Sequence, residues 1–244
     1  MLDAFNPSNW CKSMQKHVIR LWDLPTRVVH WLLFVLVAAA FVTGLSGGNP
    51  MVWHGRLGLA ILGLLTFRLI WGLIGSTYAR FSQFVRGPGT ILAYLRGRWH
   101  GIGHNPLGAI SVLALLGVLL FQTLSGLVAN DDIAFKGPLY AMVSTATSEW
   151  ITSLHRQTIW FIGGLVGLHV CAVLLYTFVR QDNLIKPMLT GRKPVADPAV
   201  KSAGGGGPLA FIVALALTAV VVWIANGGLL TPPPPLPAST VPAW

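Results

Sequence analysis

Five apolar stretches, at about residues 28–46, 54–75, 107–129, 155–179 and 209–226, dominate this chain of 244 residues. Each is close to the ~20 residues that carry a helix across the hydrocarbon of a bilayer. Lipid offers no hydrogen-bond partner to the backbone, so each stretch is predicted to be a helix that satisfies its own N–H and C=O groups. Composition points the same way. The chain is 54% hydrophobic and only 10% charged, whereas soluble domains carry roughly 25% charged residues. The expected fold class is an all-α integral membrane protein. The first four segments are close-coupled and predict a four-helix bundle, to which the fifth is a C-terminal addition.

Local signals set the boundaries. In "GHNPLG" (103–108), Asn105 reads as an N-cap and Pro106 as the first helical residue. "ADPAVKSAGGGGP" precedes the fifth segment and reads as a slack glycine-rich linker. "TPPPPLPASTVPAW" follows it and reads as a polyproline-II tail. The expected division is a bundle over 17–193, a linker over 194–208, a fifth membrane helix over 209–226 and a Pro-rich tail over 227–244. The first 25 residues lack the apolar core of a cleavable signal peptide.

The net charge of +10 reads as topology. Lys12, Lys16, Arg20 and Arg27 precede the first helix. Arg80, Arg86, Arg96 and Arg98 lie in the second loop, and Arg180, Lys186, Arg192, Lys193 and Lys201 follow the fourth helix. These are 13 of the 17 basic residues, and all fall on one side. The first loop has none, and the third has only Lys136, beside Asp131, Asp132 and Glu149. By the positive-inside rule the N-terminus is cytoplasmic and the C-terminal tail periplasmic, in a bacterial inner membrane. No nucleic-acid surface is implied.

Seven histidines remain to be explained: His17, His30, His54, His100, His104, His155 and His169. His17, His100 and His104 sit in polar or glycine-rich surroundings and read as ordinary interfacial or loop residues. The other four lie in or at the ends of membrane helices, where a polar ring is costly and usually functional. His30 begins the first helix at the inner face, while His54 and His155 begin the second and fourth at the outer face. His169 follows His155 by fourteen residues, about 21 Å along the same helix and only about 40° off the same stripe. His54 can therefore meet His155 at the outer level. His30 can meet His169 toward the inner level, a looser match because His169 lies deep. Two bis-histidine sites stacked in a four-helix bundle are what two non-covalent haems b require, with the four histidines as axial iron ligands. Zinc or copper would want three or four ligands per site, and Cys171 is the one thiol nearby. Four unrelated structural histidines are the bland alternative. Neither Cys11 nor Cys171 lies in a CxxCH motif, so covalent haem attachment is not available, and their separation argues against a disulfide.

Four arginines fit the same levels. Arg56 and Arg156 neighbour His54 and His155 at the outer level, where they could pair with haem propionates; Arg27 and Arg68 are inner-level equivalents. Arg68 follows His54 by fourteen residues and shares its stripe, and a buried arginine in a bilayer needs an anionic partner. Snorkelling to the headgroups is its bland reading. Gly44, Gly63, Gly126, Gly163, Gly164 and Gly167 fit either close helix packing or room for a macrocycle.

With these residues in view, "LWDLPTRVVHWLL", "WHGRLGLAILGLLTFRLIWGLIGSTYARFSQFV", "GHNPLGA", the two "LH" pairs of the fourth helix and "DNLIKPMLTGRK" resemble the bacterial cytochrome b561 and nickel–iron hydrogenase b-type cytochrome family over about residues 17–193. The resemblance implies a four-helix bundle binding two haems b at His30, His54, His155 and His169. It also implies electron transfer between the quinone pool and a redox partner at the outer face, either a c-type cytochrome or a redox enzyme. An electron-transfer subunit is thus expected rather than a stand-alone enzyme. A superoxide-oxidising quinone reductase is the alternative within the resemblance, and a haem-free histidine-lined transporter the alternative outside it. Trp22, Arg27, Arg80 and Phe81 are the candidates for a quinone site. The fifth helix, with Ala210, Ala214 and Ala216 for close approach, is expected to hold the partner.

Overall fold

A computed structural model describes residues 17–99, 101–133 and 135–230. Cys11, His100 and most of the Pro-rich tail fall outside these. The described residues begin with strand β1 (His17–Arg20), then helices α1 (Leu24–Ser46) and α2 (Met51–Ile74). Two short helices follow, α3 (Phe81–Phe84) and α4 (Pro88–Leu95), and then the long α5 (Pro106–Gly126) and α6 (Thr145–Leu174). The chain continues through α7 (Ile185–Thr190) and strand β2 (Arg192–Val195) to α8 (Pro208–Ala225). Five of these helices, α1, α2, α5, α6 with its continuation to Val179, and α8, are long and apolar enough to cross a membrane. Their outward faces carry exposed Phe34, Val42, Leu73, Trp160, Phe161, Phe178 and Trp223, a surface suited to lipid.

Local chemistry sets the ends. Asp23 caps α1, its Oδ1 accepting from Thr26 N–H at 2.7 Å, while Oδ2 accepts from Trp71 Nε1 at 2.8 Å. One carboxylate thereby starts α1 and ties it to the last turn of α2. Asn105 accepts from Gly108 N–H at 2.7 Å with Pro106 behind it, the cap expected from "HNP". Helix α6 begins ten residues earlier than hydropathy suggests, because Ser144 caps it and the polar turn from Thr145 is held by side chains. Asn130 Nδ2 donates to Ser148 Oγ at 2.6 Å, Ser148 donates to the Val128 carbonyl at 2.7 Å, and Asn130 N–H donates to Thr152 Oγ1 at 3.1 Å.

Strands β1 and β2 pair antiparallel, His17 opposite Val195 and Arg20 opposite Arg192. This ribbon joins the N-terminal segment to the segment after α6 and covers a small cluster of Ile19, Leu21, Trp22 and Val195. Both segments belong to the arginine- and lysine-rich side, called the basic end below.

The fifth membrane helix departs from expectation. The segment before it is hydrogen-bonded to the basic end. Tyr78 OH donates to the Lys201 carbonyl, Arg20 N–H to Ser202 Oγ, Ala203 N–H to the Arg20 carbonyl and Thr77 N–H to the Gly204 carbonyl. Gly206 sits at φ +64°, and a Cβ there would stand 2.8 Å from Ser76 N, so this approach needs glycine. Helix α8 then packs along α2. Ala214 is fully buried against Val29, Phe67 and Trp71, with Phe211 edge-on to both rings. Gly63 lets Val222 come within 3.2 Å of where its Cβ would be. The small residues do permit close approach, but to α2 of this chain. They were expected to serve a partner, and the expected slack linker is clamped instead.

Candidate functional site

Helix α6 packs closely on α5, yet it stands back from α1 and α2. Histidine rings bridge that gap at two levels. At the far end from the basic ribbon, His54 on α2 and His155 on α6 face each other with ring centroids 6.0 Å apart. Toward the basic end, His30 on α1 and His169 on α6 do the same at 6.4 Å. These are the two pairings anticipated from the fourteen-residue spacing. All four rings are half-buried.

The far-end pair has a defined proton arrangement. Ala40's carbonyl lies 2.9 Å from His54 Nδ1, and a carbonyl can only accept, so Nδ1 carries the proton. Ser125 Oγ lies 2.9 Å from His155 Nδ1 and spends its one proton on the Gln122 carbonyl at 3.0 Å. His155 Nδ1 is therefore the donor there too. In both rings Nε2 keeps its lone pair for a metal.

Glycines make room for these rings. A Cβ at Gly44 would stand 2.8 Å from His54 Cε1, and one at Gly126 would stand 3.2 Å from His155 Cε1. The packing decides what composition left open for these two, whereas Gly163, Gly164 and Gly167 have open space where a side chain would be.

The residues fit a metal held between two imidazoles. A ring centroid lies roughly 1.2 Å from its nitrogen and a metal–nitrogen bond is about 2.0 Å, so two collinear rings stand about 6.3 Å apart across one metal. Both pairs match this spacing. Among the described residues no three His, Cys, Asp or Glu gather as a zinc or copper site would need. Two nitrogens per level, with space between the helices, suit a planar macrocycle that supplies the other four donors.

The four arginines have different fates. Arg68 is buried on α2, its guanidinium 5.0 Å over the Phe81 ring, and its Nη1 has no hydrogen-bond partner among the described residues. Arg27 donates to the Leu189 carbonyl and so closes the turn after α7. Arg56 is exposed and stacks 4.8 Å over Trp53. Arg156 is exposed in a far-end cleft of about 220 Å³, shared with Asp132, Glu149, Ser153 and Gln157.

His104 is the residue that sequence reasoning missed. Its ring packs 4.7 Å from Trp22 and 4.5 Å from Phe84, and its Nδ1 is shut off from solvent without a partner. Desolvation, then the charge of Arg68 and the nearness of His169 and His30, lowers its pKa to about 3, so it stays neutral. It therefore lies at the level of the His30–His169 pair. The one local signal was its place directly before an Asn–Pro helix start.

A helical membrane protein with two stacked histidine pairs between its helices is the frame of a b-type cytochrome. Residues 21–191 match the family model described as prokaryotic cytochrome b561, and the chain belongs to that family. It is similar to the probable Ni/Fe-hydrogenase 1 B-type cytochrome subunit of Escherichia coli strain K12, 23% identical over 210 residues that span 70% of this chain and 88% of that one. It is also similar to the probable Ni/Fe-hydrogenase B-type cytochrome subunits of Rhizobium leguminosarum bv. viciae and Azotobacter vinelandii. Each is 21% identical and aligned over 76% of this chain, with 93% and 92% of the relative covered. No solved structure matches at a significant level. The chain is thus a multi-pass membrane b-type cytochrome with an electron-transfer role.

Proposed function

We propose that this chain is the electron-carrying membrane subunit of a redox complex and holds two haems b. His54 and His155 would be the axial ligands at the periplasmic level, and His30 and His169 those at the cytoplasmic level. The observation that carries this reading is the separation of the two ring pairs, 6.0 and 6.4 Å, each right for one iron between two imidazoles. When bound, each haem supplies a one-electron couple.

The protein's own groups do the rest. Ala40 and Ser125 fix the tautomers of the far-end rings, so that Nε2 of each is free to bind metal. Arg68, buried with a free donor, offers charge to a propionate at the cytoplasmic level. The apolar faces of α2, α5 and α6 exclude water from the space between the pairs. Positive charge at the basic end, including the ribbon of β1 and β2, keeps that end cytoplasmic, and the far-end loops then face the periplasm.

The partners follow from the two ends. The names of the relatives favour a hydrogenase-type redox enzyme over a c-type cytochrome as the periplasmic partner. The third loop and the start of α6 present exposed Ile133, Met142 and Trp150 beside the Asp132–Glu149–Arg156 cleft, a mixed surface suited to docking. At the basic end, Trp22, Arg80, Phe81 and the neutral His104 are the groups nearest to a quinone entering from the inner leaflet.

Reduction by a short-chain quinol tests the assignment of ends. A His169→Ala variant should lose rapid reduction by quinol while keeping one haem. A His155→Ala variant should keep quinol reduction of its remaining haem. Unchanged quinol reduction in His169→Ala would move the quinone site to the far end.

A further inference from the structure

We infer that the two histidine pairs are set at different reduction potentials, the His54–His155 pair lower and the His30–His169 pair higher, so that electrons run downhill from the far end to the basic end. This rests on the reading that both pairs bind haem iron. Three observations, made at separate places in the fold, give the same sign.

The first is Ser125. Because its hydroxyl proton is committed to the Gln122 carbonyl, its oxygen accepts from His155 Nδ1. The second is the Ala40 carbonyl, which accepts from His54 Nδ1. A ligand ring that donates its remote N–H becomes more basic at the metal-binding nitrogen. Greater basicity favours the more positive, oxidised metal and lowers the potential. Both far-end rings have this support. At the other level, His30 Nδ1 is buried with no acceptor among the described residues, so that ring receives no such push.

The third is Arg68. Its side chain is 7% exposed, and its charge acts on His104, as do His169 and His30. This guanidinium therefore sits at the level of the basic-end pair, desolvated, where a cation stabilises an added electron far more than it would in water. Asp23 is the carboxylate close enough to oppose it. The oxygens of Asp23 are engaged by Thr26 N–H and Trp71 Nε1, which spreads its charge and leaves Arg68 Nη1 unpaired. At the far end Arg56 and Arg156 are both exposed, and Asp132 and Glu149 share a cleft with Arg156, so solvent and counter-charge cancel most of their field. The transfer itself is one electron from the far-end pair's iron to the basic-end pair's iron, with no bond made or broken and no proton moved. Its source is the docked redox enzyme and its sink the quinone.

Ser125 and Arg68 are thus positioning residues for the redox poise, and a potentiometric titration of the purified holoprotein reads them directly. The wild type should titrate in two one-electron waves. His155→Ala should abolish the lower wave, which assigns it to the far end. Ser125→Ala should raise that wave by about tenfold in the reduction equilibrium, about 59 mV for one electron, and leave the upper wave in place. Arg68→Gln should lower the upper wave alone, and Arg68→Lys should restore most of the loss. Loss of the upper wave in His155→Ala would overturn the order. Two waves that stay put in both Ser125→Ala and Arg68→Gln would overturn the cause. A wild type with fewer than two haems would overturn the functional reading beneath it, an outcome visible before any variant is made.

Discussion

Gly44 lies directly under the ring of His54: a Cβ added there would stand 2.8 Å from His54 Cε1. A side chain at this position cannot coexist with the present ring. Gly44→Val should therefore displace His54 and halve the haem content while the other pair keeps its cofactor. Gly126→Val, 3.2 Å from His155, should do the same to a smaller degree. Gly117→Val on the same helix as Gly126 meets nothing within 4 Å and is the control. The check is the haem-to-protein ratio of each variant, compared with its elution profile in detergent. Equal ratios in all three would mean that these glycines serve backbone packing alone.

Asp23 carries two elements at once. Asp23→Ala removes the cap of α1 and leaves Trp71 Nε1 without its acceptor. A lost cap costs about 1 kcal/mol and an unsatisfied buried donor about 1–3 kcal/mol, so the loss should be on the order of 2 kcal/mol. Asp23→Asn keeps the capping oxygen and should recover more than half. Thermal unfolding in detergent, followed by loss of haem absorbance, measures both. An alanine variant as stable as the wild type would show that α1 is held by its packing alone.

Truncation after Lys201 separates the haem bundle from the fifth membrane helix. None of the four paired histidines lies beyond it, so both haems should remain. The loss of Phe211 and Ala214 from the Val29–Phe67–Trp71 cluster should lower the unfolding temperature measurably. If haem is lost on truncation at moderate temperature, α8 is part of the cofactor site. If stability is unchanged, lipid replaces α8 without cost.

Much of this arrangement is written in the sequence because a membrane forces regular spacing. Helix length is dictated by bilayer thickness, so His155 and His169 could be placed on one stripe and two levels by counting. The Asn105–Pro106 start of α5 was equally legible, since caps depend on residues next to one another. What was not legible depends on contacts between distant segments. Ala214 and its neighbours announce close approach, yet nothing in them names α2 as the surface approached. His104 lies in a glycine-rich loop whose depth no periodicity reports, and only the convergence of Trp22, Phe84 and Arg68 places it at a histidine pair. Arg27 was matched to the inner level correctly, but the turn at Leu189 that takes its donor comes from the other end of the chain. The early start of α6 was hidden because its first ten residues are polar, held by Ser144, Ser148 and Asn130 rather than by apolar burial.

The most direct measurement is the haem content of the full-length purified chain, by pyridine haemochrome against quantitative amino-acid analysis, in the wild type and in His54→Ala and His30→Ala. Two non-covalent haems b per chain in the wild type and one in each variant, with different members of the pair lost, are the predicted result. A wild-type ratio near one, or a single histidine change that empties both levels in a chain that still folds, would contradict the paired-histidine account.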